Sequence, residues 1–393
     1  MPTEEIVSVV PELLQPAPPG GHPPSGNEAQ SSPLSHKEER DVKERTGHGR
    51  QLSAFQTYVN LVTVVIGAGI MALPQLPLRG GWVLSALILL VVILSTAESG
   101  LHMWKAFMAS EGRMSTYEDL GREAWGPLGQ VLAAVVANLF LFGIYSAYTV
   151  LIGMQLENLS QNALDKQHWI LILYPAFLAL ALVPDLSALS RLVPFGMVAA
   201  CATAACIIGK SMMDSRRWKD WDQHQEMHSP WPQESVMALG VVLATCIGAM
   251  TFHPVVPAVL QDMAQPEEFP RAMLGAATTC GILYLAVMLW GYHGYGVFIR
   301  QDIVQSMTHS PANLEEALSN SEVWDWMGEK SLWVPPLVSS LVLVNIILSM
   351  PIMMMAVFYS VQDFKPFAPH LKPGSWANWI MRMTLVTSVW DAT

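Results

Sequence analysis

Charge is scarce in this chain. Only 13% of its 393 residues are Asp, Glu, Lys or Arg, against roughly a quarter in a soluble domain. With 52% of residues hydrophobic, the deficit points to an integral membrane protein. The net charge of −11 excludes a nucleic-acid binder. Cysteine is scarce too. Cys201, Cys206, Cys246 and Cys280 all lie inside apolar runs, which excludes disulfides between exterior loops and the paired spacing of a zinc site. No cleavable signal peptide is visible, and no Walker motif, which argues against an ATP-driven pump. HQEMH at residues 224–228 is not the HExxH of metalloproteases, and GYHGYG at 291–296 lacks the phosphate-binding lysine. No nucleophile and base can be paired, so the chain does not read as an enzyme, and neither cofactor nor metal is expected.

What remains is hydrocarbon in long runs. A bilayer-crossing helix needs about 20 mostly apolar residues. That length fits segments near 54–76, 82–104, 128–153, 168–184, 190–209, 235–263, 271–299 and 332–360, and a ninth begins near 376. The expected fold class is therefore an all-α integral membrane protein, multi-pass and surrounded by lipid. Residues 1–50 are rich in proline, glycine and charge, ending in HKEERDVKERTGHGR, and read as a disordered tail. The transmembrane domain follows from 51 to 393. Residues 105–127 read as a polar surface stretch, with a Trp/Asp/His-rich loop at 210–234 and an acidic loop at 300–330. Lys37, Arg40, Lys43, Arg45 and Arg50 in the tail, with Lys105, Arg113 and Arg122, favour a cytoplasmic N-terminus. The loop carrying Lys210, Arg216, Arg217 and Lys219 then falls outside, against the rule.

Two of the spans interrupt themselves. The first carries Gly67-Ala68-Gly69, then Pro74 and Pro77; the sixth carries Gly248, Pro254 and Pro257, with His253 among them. Glycine costs a helix about 1 kcal/mol and proline about 3 kcal/mol relative to alanine, and an unpaired backbone group in hydrocarbon costs several. Such breaks need protein, water or ligand beside them. Short or Gly/Pro-interrupted spans at corresponding positions of two halves point to a secondary transporter's binding site; a plain packing notch between helices is the other reading. An ionisable residue at membrane depth is a functional candidate, and for His253 a buried neutral imidazole is an equal alternative.

Five stretches carry a resemblance. Asn60 to Pro74 is similar to the first span of the amino acid/auxin permease family. STYEDLGREAWGPLG at 115–129 resembles the stretch before its third span, and FHPVVPAVLQDMAQPEEFPRAM at 252–273 its sixth span and following loop. Gly291-Tyr292 and Gly294-Tyr295-Gly296 resemble the end of the seventh, and Ser349-Met350-Pro351 an element of the eighth. The resemblance implies secondary transport of amino acids by a leucine-transporter-like inverted-repeat bundle of eleven spans. About nine are legible here, so the second repeat is expected to be incomplete and the activity to belong to a longer product. A non-transporting amino acid sensor is the alternative of a different class.

An amino acid zwitterion suits the breaks. Its carboxylate needs donors, which unwound main chain at Gly67, Ala68 and Gly69 can offer. Its ammonium needs acceptors, which freed carbonyls from Gly248 to Thr251 can offer. Thr63, Phe252 and His253 complete the expected substrate site, with Phe252 and Tyr145 along the side-chain subsite. Within the family the coupling ion is a proton or sodium. Thr63 stands where the resemblance implies Asn in sodium-coupled relatives, so protons are favoured. Asn60, Glu98, His253 and Ser349 are the candidate coupling residues; for Glu98, a carboxylate at headgroup level is the alternative. The expected substrate is a neutral amino acid, and the membrane is the plasma membrane or a vacuolar or lysosomal one.

Overall fold

The computed structural model describes residues 52–67, 69–110, 116–161, 163–182, 193–215, 228–232, 236–308, 333–363, 370–371 and 375–391. The N-terminal tail, Ala68 and most of the 210–234 and 300–330 loops lie outside them.

The expected spans are all present as helices. The first is α1 (Ala54–Val65), α2 (Gly69–Ala72) and α3 (Leu76–Gly80), with a 3₁₀ turn at Leu73–Gln75. Then follow α4 (Trp82–Ala109), α5 (Tyr117–Leu159), α6 (Lys166–Ala181) and α7 (Val193–Ser215). The sixth span is α8 (Val236–Ala249), a 3₁₀ turn at His253–Val255, and α9 (Val256–Asp262). The seventh is α10 (Phe269–Tyr295), followed by the short α11 (Ile303–Thr308). The last are α12 (Val334–Asp363) and α13 (Trp376–Asp391). Among the described residues, six helices are long and apolar enough to cross a membrane, or seven if the bent first span counts as one. Helices α6 and α13 have 16 residues each, about 24 Å at 1.5 Å per residue, and fall short of that test.

Local chemistry sets the helix starts. Ser53 caps α1 through a capping box with Gln56 (3.2 and 2.9 Å), which satisfies two backbone donors that the first turn leaves free. Thr116 and Asp119 do the same for α5. Here the structure departs from the expected surface stretch at 105–127. Helix α4 runs on to Ala109, and Tyr117 already begins a helix that leads into the third span. Backbone breaks at Trp125 and Gly126 (φ 66°) fold its first turns back, and Gly121 packs on Gly129 so closely that an added Cβ on either would sit 2.5 or 2.2 Å from the other's carbonyl oxygen.

Contacts along the helices fix their directions. The first and sixth spans run antiparallel. Ala264 N–H donates to the Leu52 carbonyl at 2.9 Å, Gly69 packs on Ala249, and Gly80 lies against Val242. The first and seventh run parallel: Tyr58 pairs with Thr279 at 3.0 Å, Tyr284 with Val65, and Gly291 packs on Pro74. The third and eighth run antiparallel, joined by Asn138 to Ser360 (2.6 Å) and Ser339 to Gln155 (2.7 Å). In lipid, apolar surface does not drive helices together, so close packing and interhelical hydrogen bonds carry the association. Leu128, Val136 and Leu139 on α5 are more than half exposed, as a lipid-facing row should be.

Polar side chains are buried at helix ends. Lys210 and Asp214 form an ion pair at 2.7 Å on the last turns of α7, and Tyr295 donates to the second Asp214 oxygen at 2.8 Å. Lys210 is thus a paired residue within a helix rather than a loop charge. Asp302 accepts from the Val304 amide (2.8 Å) and from Gln155 (3.0 Å). Ser360 donates to Glu118 in the folded-back start of α5. Arg382 of α13 bonds Asn378 at 3.0 Å and stands over the Phe358 ring.

Candidate functional site

The two interruptions meet at one place. Helix α1 ends at Val65, and the axis turns by 46° between α1 and the segment from Gly69 to Gly80. Ile66 N–H still reaches back to Val62, but Gly67 N–H closes a tight turn on the Val65 carbonyl at 2.8 Å. In the sixth span, α8 ends at Ala249 and helical geometry returns only at His253. The chain between them is irregular, and Thr251 Oγ1 turns back to the Ile247 carbonyl at 2.5 Å.

Glycine at 67 and 69 is dictated by closeness of approach. A Cβ on Gly67 would sit 1.8 Å from the Tyr148 hydroxyl of the third span. A Cβ on Gly69 would sit 2.7 Å from the Ala249 Cβ. The sixth-span glycine differs: Gly248 is exposed, with nothing within 4 Å of an added Cβ.

Tyr284 of α10 lies between the breaks and is fully buried. Its hydroxyl donates to the Val65 carbonyl at 2.5 Å and lies 3.4 Å from the Ala249 carbonyl. Each is the last residue of the helix that precedes its break. A carbonyl at a helix C-terminus has no intrahelical partner; the Val65 oxygen takes the phenol proton together with Gly67 N–H, and the Ala249 oxygen lies within reach of the same hydroxyl. Sequence reasoning missed Tyr284 and Tyr148. The available signal was a phenol in an otherwise apolar run, whose hydroxyl must find a partner in hydrocarbon.

The predicted residues divide into groups. Gly67, Gly69 and Thr251 border the breaks, and Gly248 faces away into open space. His253 opens the 3₁₀ turn, and its Nε2 is buried without a hydrogen-bond partner among the described residues. Its ring stacks on Phe252 at 5.2 Å. Phe252 itself is 1% exposed and packs near Gly100 of α4. Tyr145 is buried along an apolar cleft with Leu141, Met353 and Val386.

Thr63 and Ser349 come together at the junction of the first, fifth and eighth spans, both fully buried. Ser349 Oγ lies 3.1 Å from the Thr63 carbonyl and 2.7 Å from that of Asn345. Thr63 Oγ1 donates to Val59 at 2.8 Å and lies 3.4 Å from the Val193 carbonyl. Asn345 donates to Gly196 at 3.0 Å. Asn60 is half-buried one turn before Thr63. Glu98 stands apart, 75% exposed, with His102 at 3.7 Å as its partner. No group of three or more His, Cys, Asp or Glu side chains suited to a metal occurs among the described residues.

The family described as "transmembrane amino acid transporter protein" matches residues 50–390. Three relatives from Arabidopsis thaliana are the amino acid transporters AVT1C, AVT1B and AVT1J. The chain is 27% identical to the first over 260 residues, which cover 63% of the chain and 44% of the relative. For the second the figures are 26% over 268 residues, 65% and 47%. For the third they are 23% over 291 residues, 71% and 66%. The matched stretch spans about half the length of the first two relatives and 66% of the third.

Proposed function

The chain belongs to the transmembrane amino acid transporter family, and from that premise we propose that it carries neutral amino acids across a membrane at the paired interruptions of its first and sixth spans. The single observation that supports this reading best is the meeting of the two breaks, with Gly69 against Ala249. Main-chain groups near Ala68 and Gly69 hold the substrate carboxylate, the expected Gly67 N–H being already spent on the Val65 carbonyl, and the acceptors around Ala249 to Thr251 hold its ammonium. Apart from His253, the described side chains nearest the breaks, among them Tyr148, Thr251, Phe252 and Tyr284, carry no charge, which suits a neutral substrate. Movement is by alternating access, one group of spans rocking against the others around the fixed site.

Protons drive the cycle in this reading. His253 is the first candidate to carry them, because its buried Nε2 lacks a partner beside the sixth-span break; Glu98 is the second. Sodium is the alternative, favoured by the oxygen-rich junction of Thr63, Ser349 and Val193. Asn60 is the remaining candidate for coupling. The N-terminus is cytoplasmic and the membrane is the plasma membrane or a vacuolar or lysosomal one. The pairing of Lys210 with Asp214 inside α7 removes one of four cations from the exterior loop and eases the charge rule.

The test is uptake of radiolabelled neutral amino acids into proteoliposomes under an inward proton gradient without sodium, beside an equilibrium binding assay. Accumulation driven by the gradient is expected. A strict sodium requirement overturns proton coupling, and binding without uptake favours a sensor. Neither binding nor uptake overturns the whole reading.

A further inference from the structure

We infer that Tyr284 is a positioning residue for carboxylate recognition: its hydroxyl is inserted into the first span in place of a helical hydrogen bond and leaves the Gly69 amide unspent for the substrate. The inference rests on the proposed amino acid site and deepens it by naming the group that holds one of its two breaks open.

Three observations carry it. In an unbroken helix the Val65 carbonyl would accept from the Gly69 N–H four residues on. Here that oxygen accepts from the Tyr284 hydroxyl at 2.5 Å and from the Gly67 N–H at 2.8 Å, so both of its lone pairs are taken. Ile66, between Val65 and Gly67, has φ −78° and ψ 70°, which is an inverse γ-turn and not helix. The same hydroxyl lies 3.3 Å from the position a Cβ on Gly69 would take. It therefore stands beside both ends of the missing bond, close to the line it would follow. A side chain inserted into the helical ladder is a recognised cause of a sharp bend, and the axis turns by 46° here. Contacts of α10 on either side of the phenol, Tyr58 to Thr279 and Pro74 to Gly291, hold it in register with the first span.

The chemistry is a competition for one oxygen. Gly69 opens α2, and a first-turn amide has no acceptor within its own helix. With the Val65 oxygen filled, that N–H is left for a substrate carboxylate. Without the phenol proton, Val65 keeps only the bond that closes the γ-turn. The Gly69 N–H can then recover its helical acceptor, and a turn re-forms across residues 66–69. That loss falls on the carboxylate and spares the ammonium, which is held by acceptors of the sixth span. A general loosening of the fold would weaken both ends of the substrate alike.

The experiment compares Tyr284→Phe with wild type, both purified and placed in lipid nanodiscs. Binding is measured for a neutral amino acid and for its carboxamide, which keeps the ammonium and lacks the carboxylate. Hydrogen exchange at residues 67–69 is read without ligand. Wild type is expected to prefer the amino acid, and Tyr284→Phe to lose about tenfold of that preference, the worth of a lost hydrogen bond. Exchange at Gly69 should slow in the same variant as the turn re-forms. Substitution of 4-aminophenylalanine at position 284, which restores a donor, should reverse most of both changes. If the Phe variant does not fold, 4-fluorophenylalanine at the same position fills the hydroxyl's volume without donating and is read in the same way. Unchanged discrimination in the donor-less variants overturns the inference and leaves the amino acid site standing. Equal loss for both ligands also overturns it, since that marks a structural role, as does exchange at Gly69 that fails to slow. Wild-type protein that binds neither ligand overturns the site itself, and the assignment of Tyr284 to carboxylate recognition with it.

Discussion

The two interruptions are closed in opposite ways. In the first span the chain turns within a few residues, and neighbours press directly on its glycines: Tyr148 on Gly67 and Ala249 on Gly69. In the sixth span the irregular stretch from Met250 to Phe252 has the same length, three residues, but Gly248 at its edge faces open space. One break is built from closeness, and the other from proline and a returning hydroxyl. Two glycine-bearing breaks that look equivalent in sequence therefore tolerate substitution very differently.

The largest expected effect separates them directly. Gly67→Val or Gly69→Val should abolish amino acid binding and uptake while the protein still inserts, because the new side chain overlaps Tyr148 or Ala249 at the sixth-span break. Binding and uptake at wild-type level by either variant would remove the close approach from the account. Flow-dialysis binding beside surface labelling of the expressed protein measures both. The next effect is smaller. Ser349→Ala takes a hydroxyl away from the Thr63 carbonyl just before the first break, at a cost of about 1 kcal/mol. The melting midpoint should fall by about 2 °C, with no matching change when Ser340 on the exposed face of the same helix is replaced.

Asp302 serves as a control away from both breaks. It lies beyond the seventh span, and burial raises its carboxyl above the ordinary value of 3.8, opposed by hydrogen bonds from Val304 and Gln155. The sign follows from linkage. The folded state holds this proton more tightly than the unfolded chain does. The stabilisation is complete below the ordinary carboxylate pKa and is lost as pH rises through the raised one. Wild-type melting should therefore decline as pH climbs from about 4, and Asp302→Asn should lack that portion of the slope. An identical slope in both proteins would assign the pH dependence to other groups.

The smallest effect is expected at Gly248. With nothing near an added Cβ, Gly248→Ala should leave binding unchanged and raise stability by up to about 1 kcal/mol through helix propensity. A loss as large as that of Gly69→Val would erase the contrast between the breaks.

How much of this was legible beforehand depends on the distance over which the cause acts. The spans were readable because hydrocarbon thickness sets a helix length, and Gly67, Gly69, Pro254 and Pro257 marked the breaks through backbone propensity alone. The partners that give those breaks their shape were not readable. Tyr148 and Tyr284 meet Gly67 and Val65 from 81 and 219 residues away, and a phenol in an apolar run does not disclose its acceptor. The same limit hid Lys210. In sequence it counts as a loop cation, whereas in the fold it pairs with Asp214 one turn on, which Tyr295 of a neighbouring helix also holds. The stretch 115–129 reads as a motif, but its fold-back depends on Gly126 adopting a left-handed backbone and on Glu118 reaching Ser360, which spacing does not convey.

The central claim is that both broken spans present their main chain to one amino acid. Hydrogen–deuterium exchange in lipid nanodiscs, read at residues 66–69 and 249–252 with and without a neutral amino acid, tests it most directly. Protection rising together in both segments on adding the amino acid is the predicted result. Exchange that stays unchanged in both, or that slows in one alone, would contradict it.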